Sequence, residues 1–177
     1  WKTYLDLQKL GAIPGTKWAQ KLLLGGLNAL GKNNSFQVEL LRRSCQGQPI
    51  FWGGAQGFSE RAKRSLLSKY LNAKLSGITS WNAIEPIWKN YQSKAWEKSH
   101  LNWMSYLDLN FRLPELLLMR VDKMSMGVSL EGRVPFLDHK FVELSMSIPS
   151  AMKTKSRVSK TLLKQAVRGV IPDELID

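Results

Sequence analysis

Apolar residues in this chain recur mainly at intervals of three and four, and alternating β patterning is scarce. An amphipathic helix buries a stripe with a 3.6-residue period, whereas a half-buried strand alternates with a period of two. The spacing therefore predicts a mainly α-helical chain of about six to eight helices, and these residues alone do not make a complete α/β domain.

The clearest stripe is Leu113, Leu117, Val121, Met124 and Val128, on "LPELLLMRVDKMSMGV". Pro114 is expected to restart the helical pattern there, because an interior proline removes a hydrogen bond. Downstream, Asp138 is placed to cap "HKFVELSMSI" and Pro149 to stop it. Ser159 is placed to cap "KTLLKQAVRG", with Gly169 as its C-terminal residue, and "PDELI" reads as one more turn. Upstream, "YLDLQKL" and "FQVELLRRSC" have helical spacing, and "KWAQKLLLGGLNALG" does too, with an interruption expected at Gly25 and Gly26. "FSERAKRSLLSKYLNAKL" predicts one helix, capped by Ser59, stapled by Phe58 and buried along Leu66, Leu67, Tyr70 and Leu71. A long helical stretch follows from Trp81 to Leu113, with Pro86 near its start.

The 177 residues are 44% hydrophobic, enough for one domain with a core. No apolar run approaches the roughly 20 residues of a membrane span. The lone cysteine, Cys45, allows no internal disulfide, which fits a reducing cytoplasm. Arg42 and Arg43 beside it favour a thiolate, but an incidental loop cysteine is the preferred reading. With His100 and His139 as the only histidines, no zinc constellation can be built. Neither a G-x-x-x-x-G-K-[ST] loop nor a G-x-S-x-G elbow is present. The opening Trp-Lys-Thr-Tyr reads as the middle of a longer protein.

A net charge of +12 favours anionic partners. It keeps open a basic helical module that binds nucleic acid or other anionic partners. Against that module, the tryptophans sit mostly at core spacing and the lysines of "MKTKSRVSKTLLK" read as a solvated face.

The segment Arg120–Glu143 mixes charge and hydrophobe most densely. Arg120, Asp122 and Lys123 fall on the striped helix; Glu131 and Arg133 flank Gly132, and Pro135 forbids the helix from continuing. A structural ion network that fixes the turn is preferred here over a catalytic cluster.

"YLDLNFRLPELLLMRVDKMSMGVSLEGRVPFLDHKFVELSMSIP", from Tyr106 to Pro149, resembles the C-terminal synthetase domain of glutamine-hydrolysing asparagine synthetases. The resemblance rests on Tyr106 and Asp108; Leu113 and Pro114; Asp122 to Met126; Ser129 to Glu131, Arg133 and Pro135 to His139; and Val142 with Glu143. Gly132 stands where valine or alanine is commoner, and Lys123 replaces a commoner arginine, which loses the bidentate fork. The resemblance implies a mainly α chain, the helical C-terminal portion of an adenine-nucleotide α-hydrolase-like (PP-loop ATPase) α/β domain. It divides residues 1–177 into a variable helical region, 1–100, and a signature region, 101–177. It implies ATP and Mg2+ as cofactors, held mainly by residues outside this chain, and a carboxylate acceptor activated as an acyl-adenylate. It implies as partners the glutaminase and PP-loop parts of the same protein, and no membrane. Arg120, Asp122, Glu131 and Arg133 are the candidates for lining or bracing the site; no metal ligand and no catalytic residue is assigned within the chain.

Overall fold

The computed structural model describes residues 4–6, 16–29, 35–54, 57–154 and 160–176. Among these the chain is helical, with no strand and a single isolated bridge between Arg168 and Ile171. None of the helices is long and apolar enough to cross a membrane. In order they are α1 (Thr16–Ala29), α2 (Phe36–Cys45), α3 (Glu60–Leu66), α4 (Lys69–Lys74), α5 (Trp81–Lys94) and α6 (His100–Leu107). A π-helical segment, Asp108–Leu118, joins α6 to α7 (Met119–Met126) without a break. After a 3-10 turn at Pro135–Leu137 come α8 (His139–Ser147), α9 (Ser150–Lys153), α10 (Thr161–Ala166) and a last 3-10 turn at Asp173–Leu175.

Side-chain caps set the N-terminal boundaries of five helices. Ser35, Ser59, Ser68, Ser99 and Asp138 each accept a backbone N–H from the first turn of the helix that follows. The caps at Ser59 and Asp138 agree with the sequence. Ser68 does not: it starts a second helix where one helix was expected, so α3 and α4 are separated at Leu67. The side chain of Asn72 fixes this corner by donating to the carbonyls of Arg64 and Leu67. With the stretch bent, Phe58, Leu66 and Tyr70 are left exposed, so the expected staple and buried stripe do not form.

Three other expectations are corrected. Gly25 and Gly26 lie inside a continuous α1, which packs on α2 and is tied to it by a hydrogen bond from Ser44 to Gln20 (3.1 Å). Pro86 lies in the interior of α5, not at its start. Pro114 does not restart a helix. The backbone widens around it, and the Met119 N–H reaches back five residues to the Pro114 carbonyl. A wider turn relieves the clash between a proline ring and the carbonyl four residues earlier. The expected capping residue Ser159 lies outside the described residues.

The core is aromatic and centred on α5 and α6. Tyr91, Trp103 and Leu107 are almost fully buried, with Ile84, Met104, Phe51 and Trp52 around them. Trp88 meets Trp103 edge-on at 4.7 Å, and Tyr91 packs on both Trp103 and Tyr106. Such rings carry polar tips that need partners once buried. The Trp103 indole donates to the Phe51 carbonyl (3.0 Å), which pins the 50–54 loop to α6. The Tyr91 hydroxyl is set between the carbonyls of Ser99 (2.7 Å) and Glu97 (3.1 Å), which pins the α5–α6 connection. Burial, assisted by the charge of Glu97, pushes the Tyr91 hydroxyl up to about 12. Tyr91→Phe keeps the ring and removes the hydroxyl from both carbonyls, although Ser99 still accepts the Trp103 N–H. It should lower unfolding stability by about 1–2 kcal/mol, measured by urea denaturation; an unchanged midpoint would remove the hydroxyl from this account.

Candidate functional site

The signature region wraps a charged trough. One wall is the stretch from α6 through the π-helical segment; the other is the Pro135–Leu137 turn with α8. Leu109, Leu113, Leu137, Val142 and Met146 form its apolar floor, shared by two clefts of about 390 and 600 Å³. The smaller cleft carries Ser105, Asp108, Arg112 and Lys153; the larger carries Glu97, Asn102, Tyr106, His139 and Glu143.

The spacing of Asp108 and Arg112, four residues apart, places them on one face of the helical stretch. Their closest approach is 4.0 Å, and Asp108 Oδ1 and Arg112 Nε are buried without a hydrogen-bond partner. Burial pushes the Asp108 carboxyl above the usual carboxylate range, opposed by the Arg112 charge. Gly54 lies against Arg112: a Cβ there would be 2.9 Å from Arg112 Nη1. Lys153 is the second cation. Burial draws its ammonium below the usual lysine value, opposed by Glu97, and it donates to Asn102 Oδ1 (2.9 Å). The cleft thus offers a carboxyl, a guanidinium and an ammonium around a greasy floor, a set suited to a small charged ligand.

One carboxylate holds the two walls together. Glu97 accepts from the backbone N–H and hydroxyl of Ser150 (2.8 and 2.7 Å) and from the Asn102 amide (2.8 Å). Beside it the Trp96 indole donates to the Met146 carbonyl (3.0 Å). These bonds join residues 96–102 to residues 146–153 across some fifty positions of sequence. The Ser150 hydrogen bonds hold the Glu97 carboxyl below its usual range.

The four residues singled out from the sequence lie elsewhere, at the mouth of the signature turn. Gly132 packs over α7: a Cβ on it would be 3.5 Å from Val121 Cγ1 and 3.8 Å from Ser125 Oγ. Arg120 and Asp122 flank Val121, and Glu131 and Arg133 flank Gly132, so one contact brings both pairs into the same neighbourhood. The turn is shaped by backbone bonds from Val128 and Leu130 to the Ser125 carbonyl, and by a left-handed Ser129 (φ 58°). The expected ion network is corrected. Among the described residues only Glu131 and Arg133 of this group pair (3.0 Å), in solvent, where such pairs are worth little. Arg120 and Asp122 are exposed and make no ion pair among the described residues. The apolar stripe beside them is corrected too. Leu117, Val121, Met124 and Val128 are exposed, Met124 by 78% and Val128 by 76%, and Leu130 and Phe136 extend the same open surface.

Asp108, Arg112, Lys153 and Glu97 were missed as site residues. The four-residue spacing of Asp108 and Arg112 was visible in the sequence. The meeting of Glu97 with Ser150 was not, because no local pattern encodes a contact over that separation. Among the described residues no group of three or more His, Cys, Asp or Glu side chains is placed to hold a metal ion.

Residues 20–177 match the family model described as asparagine synthase, and the chain belongs to that family. It is 34% identical over 139 residues to "Asparagine synthetase [glutamine-hydrolyzing] 1" of Bacillus subtilis (strain 168), across 78% of this chain and 21% of that protein. It is 48% identical over 60 residues to "Asparagine synthetase [glutamine-hydrolyzing] 3" of the same organism, across 34% of this chain and 10% of the relative. An asparagine synthetase of Gallus gallus is 36% identical over 62 residues, across 33% of this chain and 11% of its own length. The chain thus spans about a fifth or less of the relatives it matches. No solved structure matches it significantly.

Two measurements test this geometry. The folded-state pKa of Glu97 lies below its unfolded value, so its contribution is full above the unfolded value. It is lost as pH falls through the folded one. Glu97→Gln should cost only about 1 kcal/mol at pH 7, because solvent reaches the carboxylate. The gap from wild type should close below pH ~4 in thermal melts; a gap independent of pH would contradict the ionised clamp. At the turn, Ser129→Val forces a β-branched residue into the left-handed region and should cost about 1–2 kcal/mol. Ser129→Gly should not destabilise, and equal behaviour of the two variants would argue against the turn.

Proposed function

We propose that this chain is the helical C-terminal part of an ATP-dependent asparagine synthetase of the glutamine-hydrolysing type. The reaction is aspartate, ATP and glutamine going to asparagine, AMP, pyrophosphate and glutamate. The observation that carries the reading is the family match over residues 20–177, which includes the whole Tyr106–Pro149 signature. The open apolar surface supports it: the signature helix presents Val121, Met124 and Val128 outward, as a helix does when another body covers it. In this reading the covering body is the PP-loop α/β part of the same protein. ATP and Mg2+ are held mainly by that part, which the glutaminase domain supplies with ammonia. Arg120, Asp122, Glu131 and Arg133 then stand at the junction and brace it.

The chemistry sets clear demands: cationic groups for the leaving pyrophosphate, and a dry site that protects an acyl-adenylate from water. An exposed turn meets neither demand until it is covered, so the 177 residues by themselves should be inactive. Incubated with ATP, aspartate and ammonia, the isolated chain should release no asparagine and no pyrophosphate, whereas the longer protein should release both. Turnover by the isolated chain would overturn the first expectation. Pyrophosphate release by the longer protein only with another carboxylate would overturn aspartate as the acceptor. Glu131→Ala in the longer protein should lower the rate; a wild-type rate together with an unchanged melting temperature would refute its bracing role.

A further inference from the structure

From Arg61 to Ile84 the sequence carries five bases, Arg61, Lys63, Arg64, Lys69 and Lys74, and no Asp or Glu. The stretch builds most of α3, all of α4 and the loop that leads into α5. α4 stands out from the body of the chain: of its six residues only Asn72 is part-buried, and the others are exposed. Leu66 (67%), Tyr70 (70%), Leu71 (39%) and Ile78 (58%) are open to solvent among the bases.

Hydrogen bonds hold this corner in its exposed position. The Ser68 side chain caps α4, and the Asn72 amide ties it to the carbonyls of Arg64 and Leu67 (2.8 and 2.9 Å). Arg64 donates to the Ser76 carbonyl (2.9 Å) and Lys63 to the Ser80 hydroxyl (2.6 Å), which anchors the loop beyond α4 on α3. Glu60, the acid just before the stretch, is already engaged by Lys63 (2.6 Å) and by the Ser80 N–H (3.1 Å). Arg61, Lys69 and Lys74 make no ion pair among the described residues. A fixed corner therefore presents apolar side chains and cations together, with its neighbouring carboxylate taken.

The complement of such a corner is a surface of apolar side chains among carboxylates. A second copy of the corner brings the same cations and is repelled. A nucleic-acid backbone matches the charge but leaves the aliphatic Leu66, Leu71 and Ile78 without a partner. Size decides where the complement sits. A standard interface between free partners takes about 20–30 residues a side, more than this corner offers. A tethered surface needs less, because it binds at a high effective concentration. The chain spans about a fifth of the length of its relatives, so most of such a protein lies elsewhere along the same polypeptide.

We propose that the α3–α4 corner docks an acidic surface with an apolar centre on the part of the same protein outside these 177 residues. This rests on the reading that the chain belongs to a longer protein, and not on the reaction that the protein performs. It is a second contact, on other helices than the Val121–Val128 face.

A zero-length carbodiimide cross-linker, which joins an amine to a carboxylate touching it, tests this on the longer protein, with the links located by mass spectrometry. The Lys89–Glu85 pair (2.8 Å) is the internal positive control. Lys69 or Lys74 should link to an Asp or Glu beyond the 177 residues. Raising the salt to about 0.5 M should lower that yield at least about twofold, because exposed charges are screened. Leu66→Ala combined with Tyr70→Ala should lower it by at least about as much, through lost apolar area. Both side chains are exposed, so the fold tolerates the change, and every lysine stays in place. A Lys89–Glu85 link with none from Lys69 or Lys74 would overturn the proposal. So would links from these lysines only to acids within the 177 residues, or only between isotopically distinct copies. Asparagine formation, assayed on the same preparation, decides the reaction separately: links without product keep the docking surface and sink the synthetase reading, and product without links does the reverse.

Discussion

Glu97 is the constraint on which the two halves of this structure depend. The aromatic core organises α5, α6 and the 50–54 loop, but it does not reach the C-terminal helices. What brings α8 and α9 onto that core is a carboxylate accepting three hydrogen bonds, with the Trp96 indole and the Lys153 ammonium beside it. Directional bonds across so long a loop fix register as well as proximity, and apolar contact alone would not. The trough between the walls exists because of that register, and the charged group of Asp108, Arg112 and Lys153 exists because of the trough.

The signature region is arranged in an unusual way for a helical domain. Its most regular helical stripe faces outward, while the buried side chains lie mainly on α2, α5, α6 and the 50–54 loop. A stripe of Val121, Met124 and Val128 in water is unfavourable by the ordinary transfer argument, and a large open apolar surface marks an interaction site. The left-handed Ser129 and the packing of Gly132 on Val121 add a shaped turn to the same surface. The proposal that this surface is a junction, with its charged residues at the rim, rests on family membership and on this open face.

Local signals were legible in the sequence wherever one residue decides the structure. Ser59 and Asp138 cap because a short side-chain oxygen meets the orphan N–H groups of a first turn. The stripe was read correctly as helical from Leu113 to Met124, whereas Val128 falls in the turn beyond, and the face it marks is exposed and not buried. Periodicity reports which residues share a face, and it says nothing of what that face meets. Pro114 and the Gly25–Gly26 pair were overread as breaks. A proline can be absorbed by a widened turn, and glycines inside a helix cost about 1 kcal/mol each, which need not break it. The candidate site divided in the same manner: Arg120, Asp122, Glu131 and Arg133 were visible as a cluster of charge, whereas Lys153 and Glu97 joined the trough only through folding.

By itself the sequence determined the helical class, the capped boundaries of α3 and α8, and membership of a family recognised from an ordered string of motif residues. Each is a property of neighbours along the chain, set by backbone geometry and side-chain type. Tertiary structure decided which stripe would be buried, that the Trp103 indole would meet the Phe51 carbonyl, and that Glu97 would find Ser150. Those outcomes depend on contacts between residues distant in sequence, where the stability of each pair rests on the whole packing around it.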